Sequence, residues 1–109
     1  MYCVRSISIM KRKKTSKDEL TDCELVFQSL SNASRRHILS CLSQNGGPML
    51  GGEIADKLSI VWSTTTEHLQ NLTKANLVTV KRQGRYQIYE INLKRLEIVC
   101  DWVNEIKSN

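Results

Sequence analysis

Histidine occurs only twice in this chain of 109 residues, proline once, and cysteine four times without a single Cys-x-x-Cys pair. Each scarcity removes a class of protein. With two histidines, no glycine-rich phosphate loop and no nucleophile set beside a base, nothing assembles into a catalytic constellation, and the chain is expected not to be an enzyme. Cysteines 3, 23, 41 and 100 form no dense framework, so they read as reduced cytoplasmic thiols and not as disulfide staples. No apolar run approaches the ~20 residues of a membrane span. The partly apolar start, Met1 to Met10, precedes its charges at Lys11 to Lys14, the reverse of a secretory signal, so export is not expected.

What remains is room for one domain, which at this length buries roughly two-thirds of its unfolded surface. The net charge is +5, but it is unevenly held. Residues 11 to 17 carry five positive charges and no negative ones, whereas from Asp18 onward ten Lys or Arg face eleven Asp or Glu. The body is therefore near neutral. Residues 1 to 17, without helical period, read as a disordered basic arm, and residues 18 to 109 as the folded domain.

Within that domain, Leu20, Cys23, Val26, Phe27 and Leu30 recur at spacings of three and four, which predicts a first helix over about 18 to 30 with acidic residues in its first turn. Ser31 or Asn32 can cap a second helix over 33 to 44, with Ile38, Leu39 and Leu42 buried and Cys41 a small core residue. Gly46 to Gly52 holds four of the five glycines and the only proline and reads as a loop, in which Met49 and Leu50 can add a short strand. A two-turn helix to Leu58, with Ile54 and Ala55 inward, a turn over Ser59 to Ser63 and a further helix starting near Trp62 give a helix-turn-helix by spacing alone. Val78, Val80, Ile88 and Ile91 flank Gln83-Gly84 as a hairpin, and Leu93, Leu96, Val99, Val103 and Ile106 close the chain as an amphipathic helix beside Trp102. The expected fold is mainly α with a small β-hairpin, in the order α-α-(β)-α-α-β-β-α: a winged helix-turn-helix.

Residues 62 to 91 carry the functional signal. Thr65, Leu69 and Leu72 fall on one side of the helix, and Ser63, Glu67, Gln70 and Lys74 on the other. A helix of this kind fits a major groove about 12 Å wide, where hydroxyls meet phosphates and base edges and threonine methyls meet thymine methyls. The candidate DNA-binding residues are Trp62, Ser63, Thr64, Thr66, Glu67, His68 and Gln70 on the helix, and Lys81, Arg82, Arg85 and Tyr86 on the hairpin. Ser63 serves equally as a helix cap. Glu67 is repelled by phosphate unless it accepts from a cytosine amino group, and His68 lies at the margin of the packed face, where a neutral, satisfied imidazole is the plainer reading. At the wing, cations can neutralise phosphates or reach the minor groove, or simply be solvated.

Together these residues resemble the ArsR/SmtB family of winged-helix repressors. The resemblance runs from about Phe27 to Trp102 and rests on Leu30 to Leu39, Glu53 to Leu58, Ser63 to Leu69, Leu77-Val78 and Gly84 to Tyr89. It departs from the family at Ala33, where proline is usual, and at Glu67, where arginine is usual. It implies a cytoplasmic, nucleoid-associated homodimer joined through its first and last helices and bound to a two-fold symmetric operator on double-stranded DNA. Amphipathic helices at both chain ends also ask for a partner surface. The family's metal sites would fall at Ile54 and Asp56 and on a last helix with histidines; neither residue is a thiol and no histidine follows His68, so no metal or other cofactor is expected. Cys23 and Cys100 lie on the helices expected at the dimer contact. Core packing is their plainer role, and a repressor responsive to oxidants or soft ions through them is the alternative. A winged-helix module for protein contact is the other competing reading.

Overall fold

A computed structural model describes residues 21–109, so the expected arm over 1 to 17 lies outside the described residues. The elements run α1 Asp22–Leu30, α2 Ala33–Asn45, β1 Met49–Leu50, α3 Gly51–Leu58, α4 Trp62–Lys74, β2 Val78–Gln83, β3 Tyr86–Ile91, a 3-10 turn Leu93–Leu96, and α5 Glu97–Ser108. This is the expected order.

Local chemistry sets most of the boundaries. The Thr21 hydroxyl accepts the Glu24 N–H at 3.2 Å to start α1, and Asp22 and Glu24 place negative charge at its positive end. Of the two candidate caps for α2, Asn32 acts: its side-chain oxygen accepts the Arg35 N–H at 3.2 Å. The helix ends where Gly46 turns left-handed at φ 76° and returns its N–H to the Leu42 and Ser43 carbonyls.

The glycine-rich stretch departs from expectation. Met49–Leu50 forms the short strand, pairing antiparallel with Tyr89 and Ile88, and Gly51 and Gly52 are the first residues of α3. Glu53 fixes this start, its carboxylate accepting the Leu50 N–H at 2.9 Å. Gly51 is also needed for space, since a Cβ there would stand 2.9 Å from Cη2 of Trp62.

At the start of α4 the cap position is Val61, which offers no side-chain acceptor, so Ser63 lies inside the first turn and does not cap. The Val61 carbonyl instead receives both the N–H and the hydroxyl of Thr65, at 2.9 and 3.0 Å. Helix α4 ends with Asn76 left-handed at φ 62° and the Leu77 N–H reaching back to Leu72 at 3.0 Å.

The three strands pair antiparallel in the order β1-β3-β2. Gln83 faces Tyr86 across a tight turn in which Gly84 takes φ 61°, a value that glycine adopts without steric cost. The last helix does not run unbroken from Leu93, because Leu93–Leu96 is wound as 3-10. Its anchors explain this: the Asn92 amide donates to Asn76 at 2.9 Å and Arg95 Nε to Ala75 at 3.0 Å, tying the turn to the end of α4.

The core draws on every helix but α5 for its fully buried side chains, with Val26, Ile38, Leu42, Ile54, Leu69, Leu72, Leu77 and Val78 all sealed. Leu96, Ile98 and Val99 pack on it from the C-terminal end. Beyond them α5 has spare apolar surface: Trp102, Val103 and Ile106 remain 45, 39 and 56% exposed. The edge of Trp102 meets Phe27 of α1 with centroids 5.5 Å apart. The chain-end helices therefore lie together and present one partly uncovered apolar face.

Candidate nucleic-acid interface

Helix α4 divides as its periodicity requires. Thr65, Leu69 and Leu72 are buried, while Ser63, Thr64, Glu67, Gln70 and Lys74 are exposed. Asn71 joins the exposed side, and sequence reasoning missed it; its place one turn after Glu67 was the available signal. Thr66 is half-buried, its hydroxyl donating to the Trp62 carbonyl at 3.0 Å, which leaves its oxygen free only to accept.

His68 is half-buried as well, with Nδ1 3.4 Å from Arg35 Nη1. Arg35 in turn donates from Nε to the Ser29 carbonyl at 2.7 Å and from Nη2 to the Gln28 carbonyl at 3.4 Å. Arg36 adds a bond to the Leu30 carbonyl at 2.7 Å. Two arginines from the first turn of α2 thus cap the open end of α1, which has no basic residue in its own last turn. His68 belongs to this bracket joining α1, α2 and α4.

On the wing, Lys81, Arg82, Arg85 and Tyr86 are all exposed, and Arg82 reaches over the turn to the Gly84 carbonyl at 3.5 Å. Tyr89, two positions short of the end of β3, points the other way into the core and donates its hydroxyl to Gln87 at 2.8 Å. Burial pushes its phenol pKa up from the ordinary 10.0. Trp62 stands between wing and helix: 56% exposed, it lies against Gly51 and shares a cleft with Arg82, Arg85 and Tyr86. Trp62 of α4 and the wing's Arg82, Arg85 and Tyr86 therefore line one cleft, and the helix adds exposed hydroxyls and amides, the chemistry that phosphate and base edges ask for.

The cysteines separate by environment. Cys41 is buried, with its thiol 3.8 Å from the Met49 sulfur. Cys23 is half-buried, and its pKa is pushed above the ordinary 9.0 by burial and then by the carboxylates of Asp22 and Glu24, against the opposing pull of Arg95. Cys100 is exposed, contrary to the packing expected for it, because it lies on a side of α5 that is left uncovered among the described residues. Among the described residues no three His, Cys, Asp or Glu stand close enough to hold a metal ion, and Ile54 is buried in the core.

A short brace helix, a turn, a helix with a polar outer face and a basic two-stranded flap together define a winged helix-turn-helix. Residues 31–79 match the family described as winged helix-turn-helix DNA-binding. The chain is 32% identical over 78 residues to the transcriptional repressor SdpR of Bacillus subtilis, covering 72% of this chain and 84% of that protein. Among solved structures it is similar to the homodimeric winged helix-turn-helix domain of a possible ArsR-family regulator from Mycobacterium bovis, at 25% identity and a TM-score of 0.64, over 80% of this chain and 78% of the other. An ArsR-like regulator from Rhodococcus sp. RHA1 has the same fold at 23% identity and a TM-score of 0.69, over 80% of each chain. The chain belongs to the winged helix-turn-helix transcriptional regulators of the ArsR-like kind, a family of DNA-binding proteins and not of enzymes.

Proposed function

We propose that the protein is a homodimeric repressor that grips a two-fold symmetric operator, with α4 of each subunit in the major groove and each wing on the flanking backbone. The observation that carries this reading is the exposure of Ser63, Glu67, Gln70 and Lys74 on the outer face of α4, together with the exposed Lys81, Arg82 and Arg85 of a wing that shares a cleft with Trp62 of α4. In this reading, Ser63, Thr64, Gln70 and Asn71 read base edges, Thr66 accepts at the helix margin, and Lys81, Arg82, Arg85 and Tyr86 hold phosphates. His68 positions α4 through Arg35 and does not itself reach a base. Glu67, with no ion-pair partner among the described residues, accepts from a cytosine amino group and so biases the operator toward cytosine at one position.

The second subunit covers Phe27, Trp102, Val103 and Ile106, the face that α1 and α5 leave open. The homodimeric state of the Mycobacterium bovis relative supports this assembly. The repressor role follows the SdpR relative, and a cytoplasmic, nucleoid-associated setting follows from the DNA reading. The raised thiol pKa of Cys23 keeps it in the unreactive protonated form and disfavours the thiol-sensing alternative.

Selection of bound duplexes from a random pool at low, stated salt tests the reading, with light scattering for mass. The expected result is a palindromic site with half-sites about one helical turn apart and a dimer mass. Affinity should fall linearly with salt on logarithmic axes, by about 0.9 per phosphate contacted. Enrichment of no sequence, or capture only by protein partners, overturns it in favour of a protein-contact module.

A further inference from the structure

The first turn of α4 and the wing enclose a half-open cleft of about 310 Å³, walled by Gly51, Glu53, Trp62, Arg82, Arg85 and Tyr86 among others. Its walls differ in kind. On one side the Trp62 indole rests on the Gly51 backbone so closely that any Cβ there would meet ring atoms at 2.9 and 3.1 Å. On the other stand two exposed guanidiniums and the Tyr86 ring, itself 62% exposed. One carboxylate also lines it: a Glu53 oxygen accepts the Leu50 N–H at 2.9 Å, which holds that side chain at the start of α3, and its negative charge directs an anion to the arginine side. The cleft is thus apolar along one wall and cationic along the other.

We propose that this cleft seats one sugar–phosphate unit of the DNA strand, the deoxyribose against the Trp62 indole and the phosphate between Arg82, Arg85 and the Tyr86 hydroxyl. The inference rests on the DNA-binding reading and adds to it a single fixed point of strand register. Two arguments select this occupant. The cleft is only as large as the smallest small-molecule sites, about 300 Å³, and is open along one side, which suits a segment that enters and leaves better than an enclosed ligand. Guanidiniums present planar forks of donors to phosphate oxygens, and an indole offers an apolar face to the carbons of a sugar. Large apolar side chains exposed on an otherwise polar surface are accounted for when a strand covers them.

Gly51 becomes intelligible in the same terms. Without it the indole could not lie against α3, and the sugar wall would swing into solvent. Trp62 is then a specificity-determining residue that reads the path of the backbone and touches no base.

The test uses the full chain and a duplex chosen by selection, with each backbone phosphate replaced in turn by a neutral methylphosphonate. For the unaltered protein, one position in each half-site should weaken binding about tenfold, well beyond the others, as expected for loss of a charge-assisted hydrogen-bonded contact. In the double variant Arg82→Gln, Arg85→Gln that same replacement should cost less than about threefold, because the two charged partners are already gone and only the neutral Tyr86 hydroxyl remains. Trp62→Ala, with folding checked by an unchanged helical circular dichroism spectrum, should weaken binding to the unmodified duplex and blur the position of the sensitive phosphate. A penalty spread evenly over many phosphates, or one undiminished in the arginine variant, overturns the inference while leaving DNA binding intact. Failure to bind any duplex at low salt overturns both it and the reading beneath it.

Discussion

Replacing Arg35 with methionine removes three polar contacts while keeping most of the aliphatic stem: Nε to Ser29 at 2.7 Å, Nη2 to Gln28 at 3.4 Å and Nη1 to His68 at 3.4 Å. Only the first is short, and Ser29 itself is 2% exposed, so its carbonyl is poorly placed to recruit water once the guanidinium is gone. A hydrogen bond to a charged group contributes about 1.5–3 kcal/mol. Partial exposure of Arg35 lowers this, and about 1–2 kcal/mol is expected for Arg35→Met. At roughly 4–8 °C per kcal/mol for a domain of this size, Tm should fall by roughly 5–15 °C. Arg36→Met is the control, since Arg36 is exposed and makes a single bond, to Leu30 at 2.7 Å; its expected cost is about 0.5 kcal/mol. Melts must be compared at one protein concentration, because a dimer's Tm depends on it. Equal shifts for the two variants would refute the view that Arg35 is the bracket between α1 and α4.

Two further outcomes follow from the packing and the titrating groups. Leu72→Ala empties a fully buried site shared by α4 and the core and should cost about 2–5 kcal/mol, read as a lowered urea midpoint with unchanged slope; a loss under about 1 kcal/mol would contradict the packing. Cys23 and Tyr89 hold their protons more tightly when folded than at their ordinary 9.0 and 10.0, so the unfolded chain ionises first and stability should fall as pH rises past about 9. Urea midpoints at about pH 8 and 10 should show this decline, Cys23→Ser should reduce it, and a flat profile would contradict it.

The fold was legible wherever a period was clean. Thr65, Leu69 and Leu72 face inward, and Gly84 turns the hairpin, as spacing and φ preference required. Errors came where particular side-chain contacts, and not a hydrophobic period, decided a local conformation. Gly51 and Gly52 read as loop because glycine disfavours helices, yet Glu53 caps the start and Trp62 needs the empty Cβ position. Leu93–Leu96 read as α-helix, yet Arg95 and Asn92 are bound to the end of α4. Arg35 carried no signal at all, since a guanidinium at the start of one helix serves carbonyls at the end of another. The outer face of α4 was legible except Asn71, and the cleft beside Trp62 was not, because its walls come from three separate segments, 50–53, Trp62 and 82–87.

Charge placement connects the two ends of the molecule. Helices α1 and α5 carry Asp22, Glu24, Glu97, Asp101 and Glu105, and there the one ion pair among the described residues joins Arg95 to Asp22 at 3.2 Å. The wing carries Lys81, Arg82 and Arg85 with no acidic residue between them. Charge divided in this way favours one orientation of the described residues on DNA, with phosphates drawn to the wing more than to α1 and α5, where Lys107 and Arg95 only partly offset the carboxylates. The same acidic end exposes Trp102 and Ile106, so the surface least able to approach DNA is the one with apolar area left to bury. In the dimer proposed above, a twin subunit seated on that end stays clear of the duplex and leaves both wings directed toward it. Under that proposal Arg35, bonded to the Ser29 carbonyl of α1 and 3.4 Å from His68 of α4, is the contact through which a partner on α1 bears on α4.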